Sequence, residues 1–282
     1  MPSLTLHPDQ PFNLDATLSC GQVFRWDRAA DGWWYGVVGN RVLKIRQDNN
    51  RLTFAGAPAS FIRWYFSLDL DLPAILASID TDPFIHTCIR RHRGLRLVRQ
   101  PPWECAVSYI CSTNSNIPAI RRRIASLAEQ FGSPVEFEGE KRYTFPGPSS
   151  ISCRGHDGLT ACRLGYRQPY VYGTSCSVTD EGAWEETVRR LPYEGARKEL
   201  MHLHGVGPKA ADCILLFAFQ KYDAYPVDVW IRRIMQEHYL PELSTGAPLT
   251  MREYNRIRSF AREHFGEYCG WAQEYLFAAR EG

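Results

Sequence analysis

Lys209 and Asp228 are the pair of residues in this chain whose types and setting suit covalent chemistry at carbon. Lys209 ends the run Leu203-His204-Gly205-Val206-Gly207-Pro208-Lys209, and Asp228 follows nineteen residues later in Tyr225-Pro226-Val227-Asp228. An amine attacks carbon only when neutral, and at an ordinary pKa near 10.4 about one lysine in two thousand is neutral at pH 7. Lys209 falls in the first turn of a predicted helix, where the macrodipole disfavours a cation by roughly 0.3–1 kcal/mol. Stability alone would not choose a lysine there. Cys213, one turn later on the same helix face, is expected to pair with the ammonium and hold it. Asp228 precedes the helical stretch Val229-Trp230-Ile231-Arg232-Arg233-Ile234-Met235 and stands where an N-cap belongs. Singly, Lys209 reads as a solvated or phosphate-contacting lysine and Asp228 as a simple cap. Together, with the glycines ahead of them, they read as a nucleophile and its carboxylate.

The elements that must position them follow from local signals. Gly205 and Gly207 bracket one residue, which marks a tight turn, and Pro208 takes the first helical position, where a missing N–H costs nothing. Tyr193 to Met201, with Leu203, has helical spacing, so the unit is helix, glycine hairpin, helix. Such a hairpin offers backbone N–H groups at a helix N-terminus to a phosphate oxygen without reading sequence. Residues 1 to about 57 alternate as strands, with Val23–Trp26, Trp33–Val38, Val42–Arg46 and Leu52–Phe54 separated by turns at Asp31-Gly32, Gly39-Asn40 and Asp48-Asn49-Asn50. From Phe61 the spacing becomes helical. Trp103 to Phe131 reads as two helices broken at Asn114-Ser115-Asn116, and Pro118 opens the second. The rest is helical apart from an irregular Gly/Ser-rich stretch near 145–160. The fold class is α+β, an N-terminal antiparallel β-sheet domain over 1–99 followed by a mainly α-helical domain over 100–282.

Composition bounds the function less sharply. With 282 residues, 44% hydrophobic and 13% aromatic, the chain fills a globular core. A net charge of +2 permits nucleic-acid binding without arguing for it. Arg90, Arg91, Arg93, Arg96 and Arg99 form one local cluster and Arg121-Arg122-Arg123 a second, each readable as a phosphate contact or a solvated face. The nine cysteines include no Cys-x-x-Cys pair, which fits a reducing compartment and argues against a disulfide framework or a zinc site. His202 and His204 read as surface histidines. No signal peptide or membrane span is expected.

Leu203 to Phe217 with Pro226-Val227-Asp228 resemble the helix-hairpin-helix and Gly/Pro-Asp signature of base-excision DNA glycosylases. The closer resemblance is to the 8-oxoguanine DNA glycosylase/lyase family. Its blocks recur in order at Ser19–Trp26, Arg99-Gln100-Pro101, Glu104-Cys105, Tyr109–Ile117, Leu164-Gly165-Tyr166-Arg167 and Gly270-Trp271-Ala272-Gln273, so the resemblance runs from about residue 12 to the C-terminus. It implies that Lys209 attacks C1′ of the damaged nucleoside and forms a Schiff base that allows β-elimination, with Asp228 stabilising charge at the sugar. It implies a pocket for the extruded base in which Gly21 offers its carbonyl to the N7–H of 8-oxoguanine. Cys213 and Phe277 would sandwich the base and Gln273 would bind its Watson–Crick edge. Asn114, Tyr166 and Arg167 match positions that fill the gap and engage the partner base, and Gly205 and Gly207 the phosphate-binding hairpin. Carbonyls of Met201, Leu203 and Val206 match a site for an alkali or alkaline-earth ion. No cofactor is required, and no iron–sulfur cluster is expected, because Cys269 stands without the four closely spaced cysteines of the endonuclease III-like relatives. The implied partner is damaged double-stranded DNA, met by a monomer with no membrane association.

Two positions depart from the animal enzymes of that family. Trp230 stands where they carry a histidine, and Ala119 where they carry an arginine that reads the opposite cytosine. Losing that donor fork implies a relaxed preference for the opposite base. Two other readings stay open: a monofunctional alkylbase glycosylase of the same fold, which Lys209 counts against, and a non-catalytic DNA-binding module. The expected location is the cytoplasm of a prokaryote, or the nucleus in a eukaryote.

Overall fold

The computed structural model describes residues 1–181, 183–243, 246 and 248–281. The N-terminal strands β1 (Ser3–Thr5), β2 (Trp26–Arg28), β3 (Trp34–Val38), β4 (Arg41–Asp48) and β5 (Arg51–Ala55) form one antiparallel sheet in the order β1-β5-β4-β3-β2. Its turns lie where the left-handed residues are, at Gly32, Gly39 and Asn49. Trp26 pairs with Gly36 across the sheet, and its indole lies so close over the glycine that an added Cβ would come within 2.3 Å of it. The inward residues Leu43, Ile45, Leu52 and Phe54 meet Ile62 and Phe66, all at 0% exposure, in a core separate from the helical one.

Two expectations fail here. A helix, Leu14–Ser19, lies between β1 and β2; Asn13 caps it by accepting from Ala16 N at 2.9 Å, and Leu14, Thr17 and Leu18 are its buried face. Val23 to Arg25 join no strand. Gln22 instead fixes this segment, its amide donating to the carbonyls of Thr17 and Arg96 at 2.9 Å and accepting from Val98 N–H at 2.9 Å. Side-chain bonds replace ladder bonds in the segment that follows Gly21.

The helices Leu72–Ile79 and Pro83–Arg91 follow the sheet in sequence but bury Leu72, Ile75, Ile79, Ile85 and Cys88 in the larger helical core, beside the Cys269–Ala278 helix. At the centre runs Pro208–Phe219, buried from Ala210 to Phe219 and packed along Pro102–Ser112. Asp212 lies within that apolar run at 0% exposure. It accepts from the hydroxyls of Tyr193 and Tyr254 at 2.5 Å and from Arg197 Nε at 3.0 Å, so three helices are tied through one carboxyl. Burial raises that carboxyl above its ordinary range.

The helical half holds more than the sequence pattern implies. A two-stranded hairpin, β6 (Pro134–Phe137) and β7 (Glu140–Tyr143), turns at Glu138-Gly139, both left-handed. Short helices at Pro148–Ser152 and Gly155–Gly158 occupy the stretch expected to be irregular. The first arginine cluster divides. Arg90, Arg91 and Arg93 are exposed, whereas Arg96 and Arg99 are buried, Arg96 donating to Ser67 O at 2.7 Å and Arg99 pairing with Asp69 at 2.8 Å. These two hold chain segments together and cannot reach a phosphate. Among the described residues no helix is long and apolar enough to cross a membrane.

Candidate active site

Gly207 caps the central helix without a side chain and Pro208 is its first residue, so the amides of the first turn are left for an outside acceptor. Nothing lies within 4 Å of a Cβ built on Gly207, so the approach is open. Gly205 differs: its φ is +78° and a Cβ would stand 2.5 Å from Tyr170 Cβ, so conformation and space both require glycine. The carbonyl of Leu203 accepts from Val206 N–H at 3.1 Å inside this turn, beside Met201. Among the described residues no group of three or more His, Cys, Asp or Glu could hold a metal ion.

Lys209 is half-buried. Its ammonium donates to Ser112 Oγ at 3.2 Å and lies 5.2 Å from the Tyr109 ring centre. Asp228 is the N-cap of Val229–His238, accepting from Trp230 N at 3.0 Å and Ile231 N at 2.9 Å, as its position in the sequence indicates. The charges of Lys209, Asp212, Asp228 and Glu274 all act on the Cys213 thiol. Burial nevertheless dominates and pushes that thiol up to about 12. The expected pairing of a thiolate with the Lys209 ammonium is therefore corrected: Cys213 is a neutral, buried sulfur beside the amine.

Gly21 has φ +109°, and a Cβ there would come to 3.1 Å from Ile117 Cδ1 and 3.3 Å from Phe277 Cε1. Gln273 and Glu274 are buried on the Cys269–Ala278 helix, and each has an Oε1 without a hydrogen-bond partner. Phe277 is half-buried, and the guanidinium of Arg280 stacks over its ring at 3.9 Å while donating to Cys20 O at 3.3 Å. Gly21 thus packs on Phe277, which shares a helix with Gln273 and Glu274, and Glu274 and Cys213 lie within electrostatic reach of Asp228. A cavity of about 440 Å³ between Gly39, Trp103 and Phe145 contains none of them.

A second group flanks the first. Asn114 is exposed and left-handed at φ +47°, in the turn after Pro102–Ser112. Tyr166, half-exposed, donates its hydroxyl to Thr113 O at 3.1 Å. Arg167 is buried to 4%, donates through Nε to Thr113 O at 3.1 Å and through Nη2 to Asn114 O at 3.2 Å, and stacks on Tyr166 at 4.3 Å. Its place is under the turn, holding Asn114 out, rather than at the surface facing a partner base. Asp212 and Glu274 carry polar functions that the sequence pattern did not single out; a lone carboxyl inside an apolar helix was the available signal.

The profile of the 8-oxoguanine DNA glycosylase N-terminal domain family matches residues 4–106. The chain is 35% identical, over 78% of its own length and 75% of the relative's, to a probable N-glycosylase/DNA lyase of Methanothermobacter thermautotrophicus. It is 29% identical to an N-glycosylase/DNA lyase of Arabidopsis thaliana over 94% of this chain and 76% of that one. Its structure is similar to that of the Clostridium acetobutylicum 8-oxoguanine glycosylase/lyase in complex with double-stranded DNA containing cytosine opposite 8-oxoguanine, with a TM-score of 0.88 and 31% identity over 96% and 92% of the two chains.

Proposed function

The chain belongs to the 8-oxoguanine DNA glycosylase/lyase family, and on that footing we propose how its own residues remove 8-oxoguanine from duplex DNA and cut the strand. The damaged nucleotide must leave the stack before C1′ can be reached. The exposed amides behind Gly207 hold the backbone, and Asn114, projected by Arg167 and Tyr166, enters the vacated space. The base enters between Cys213 and Phe277, with Gln273 at one edge and the Gly21 carbonyl accepting from N7–H. A neutral, polarisable Cys213 suits a stacking surface better than a thiolate would.

The neutral amine of Lys209 attacks C1′, the C1′–N9 bond breaks, and its electron pair leaves with the base, which takes up a proton. Opening of the sugar ring gives a Schiff base between Nζ and C1′. Loss of a C2′ proton then expels the 3′ phosphate by β-elimination. Asp228, held by two backbone amides, supplies negative charge where the sugar becomes positive. No cofactor is needed for these steps. The carbonyls of Met201, Leu203 and Val206 are the place for an alkali or alkaline-earth ion at the hairpin. Residues 1–99 form the unit that brings Gly21, and 100–282 the unit that brings the nucleophile; the protein acts as a monomer on DNA, in the cytoplasm of a prokaryote or the nucleus of a eukaryote.

Supporting this reading are an amine at a helix start and an N-capping carboxylate that both act on the buried Cys213 thiol, and a glycine packed against an aromatic ring. Incubation with a duplex containing 8-oxoguanine, with and without borohydride, tests it. Base release, strand cleavage and a covalent adduct are expected; base release without any adduct would support the monofunctional alternative.

A further inference from the structure

Glu274 shares a helix face with two of the base-pocket residues. Positions 270, 273, 274 and 277 of the Cys269–Ala278 helix recur at three- and four-residue spacing, so Gln273 and Glu274 flank Gly270 and Phe277 on one face. It is 2% exposed, yet its Oε1 has no hydrogen-bond partner, and the neighbouring Gln273 Oε1 is also buried and unpaired. Buried acceptors with nothing to accept from are destabilising and tend to persist where a ligand supplies the missing donors.

The surroundings point the same way. The carboxyl lies beside the thiol of Cys20, which directly precedes Gly21 and donates to Thr17 O at 3.3 Å. The titratable and charged groups facing it from the other elements are Tyr109, Cys213, Asp228 and Arg280. Burial pushes the carboxyl up to about 7; Cys20 and Arg280 work against that shift and Asp228 with it. Near neutral pH the group is therefore able to donate as an acid or accept as a carboxylate.

We propose that Glu274 is a base-binding residue whose carboxyl hydrogen-bonds the extruded oxidised purine, a ring edged with N–H donors and carbonyl oxygens. The proposal rests on the glycosylase/lyase reading and adds to it a contact that discriminates bases. A preformed abasic site separates the two, since it needs Lys209 but puts no base in the pocket.

Single-turnover release of 8-oxoguanine and cleavage of an abasic duplex should be measured for the wild type, Glu274→Gln and Glu274→Leu. Glu274→Leu is expected to lose about 10- to 100-fold in base release, the range for a lost buried or charged hydrogen bond, with abasic cleavage within about threefold of wild type. Glu274→Gln should retain more base release and flatten its pH dependence between about pH 6 and 8. Equal base release in all three proteins, or a parallel fall in both activities, overturns the proposal. A wild type that cleaves abasic DNA but releases no 8-oxoguanine overturns the functional reading instead.

Discussion

Lys209 donates to the hydroxyl of Ser112 at 3.2 Å, joining the first turn of one helix to the last residue of another 97 positions earlier. Thr113, the next residue, receives Tyr166 and Arg167 on its carbonyl, so Lys209 and the turn carrying Asn114 are joined through adjacent residues. Lys209→Gln keeps a side-chain donor and removes the proposed nucleophile. Affinity for the 8-oxoguanine duplex is expected to stay within about threefold, because one phosphate-range charge among many is lost. The borohydride adduct should disappear and base release fall by at least about 10³-fold. An adduct that persists would assign the Schiff base to another amine.

Asp228 is an N-cap and, in the proposed mechanism, the carboxylate at the sugar, and one pair of substitutions separates the two. As an N-cap it satisfies the amides of Trp230 and Ile231. Asparagine caps about as well as aspartate, whereas alanine costs about 1 kcal/mol. Asp228→Asn should therefore unfold in urea close to wild type while base release drops about 10²- to 10³-fold, the range for losing one preorganised electrostatic group. Asp228→Ala should add the capping loss. Wild-type rates in Asp228→Asn would reduce the residue to a cap.

Ala119 lies in the first turn of Ile117–Phe131, its N–H bonded to Asn116 Oδ1 at 3.0 Å, and its methyl offers nothing to a base edge. A bidentate arginine contact discriminates by roughly 1–3 kcal/mol, so its absence should leave 8-oxoguanine release opposite the four bases within about threefold of one another. A cytosine preference of tenfold or more would sink this expectation and require another reader of the opposite strand.

The parts of this architecture that were legible in sequence rest on local chemistry. Gly205, Gly207 and Pro208 mark the hairpin, Asp228 marks a cap, and Asn114 to Asn116 mark a break between helices, because turns and caps are written in a few adjacent residues. Burial is not written there. Arg96 and Arg99 sit in a run that reads as a basic patch, yet both are consumed by carbonyls and Asp69 contributed from distant segments. Arg167 is turned inward in the same way. Val23 to Arg25 alternate like a strand, but Gln22 finds bonds at residues 96 and 98 that no local pattern reveals. The neutral state of Cys213 is likewise a product of packing.

Asp212 holds the Pro208–Phe219 helix to its neighbours. Its carboxyl is fully buried and bonded to Tyr193, Tyr254 and Arg197, the last 7% exposed. Removing one partner of a buried ion pair strands the other charge and costs about 3–5 kcal/mol. Asp212→Leu should lose that much in urea unfolding, and activity should fall with the folded fraction rather than before it. A loss under about 1 kcal/mol would mean that Arg197 finds a new partner or water.

Glu274 makes stability depend on pH in a direction opposite to that of a paired carboxylate. Its folded value of about 7 lies above the ordinary 4.5, so the folded state holds the proton over that window and the unfolded state does not. The stabilisation is complete below about pH 4.5 and is lost as pH rises through 7, on the order of 3 kcal/mol at most for this group. Glu104 and Asp212 are also raised, so the wild-type slope alone does not identify the source. The difference between the wild type and Glu274→Gln does, because the other carboxyls cancel. Urea unfolding at a series of pH values from about 5 to 8 should show that difference moving steadily in favour of the glutamine variant as pH rises. A difference that stays constant across the series would mean that the carboxyl is already ionised in the folded protein at pH 5, and that Arg280 outweighs the burial around it.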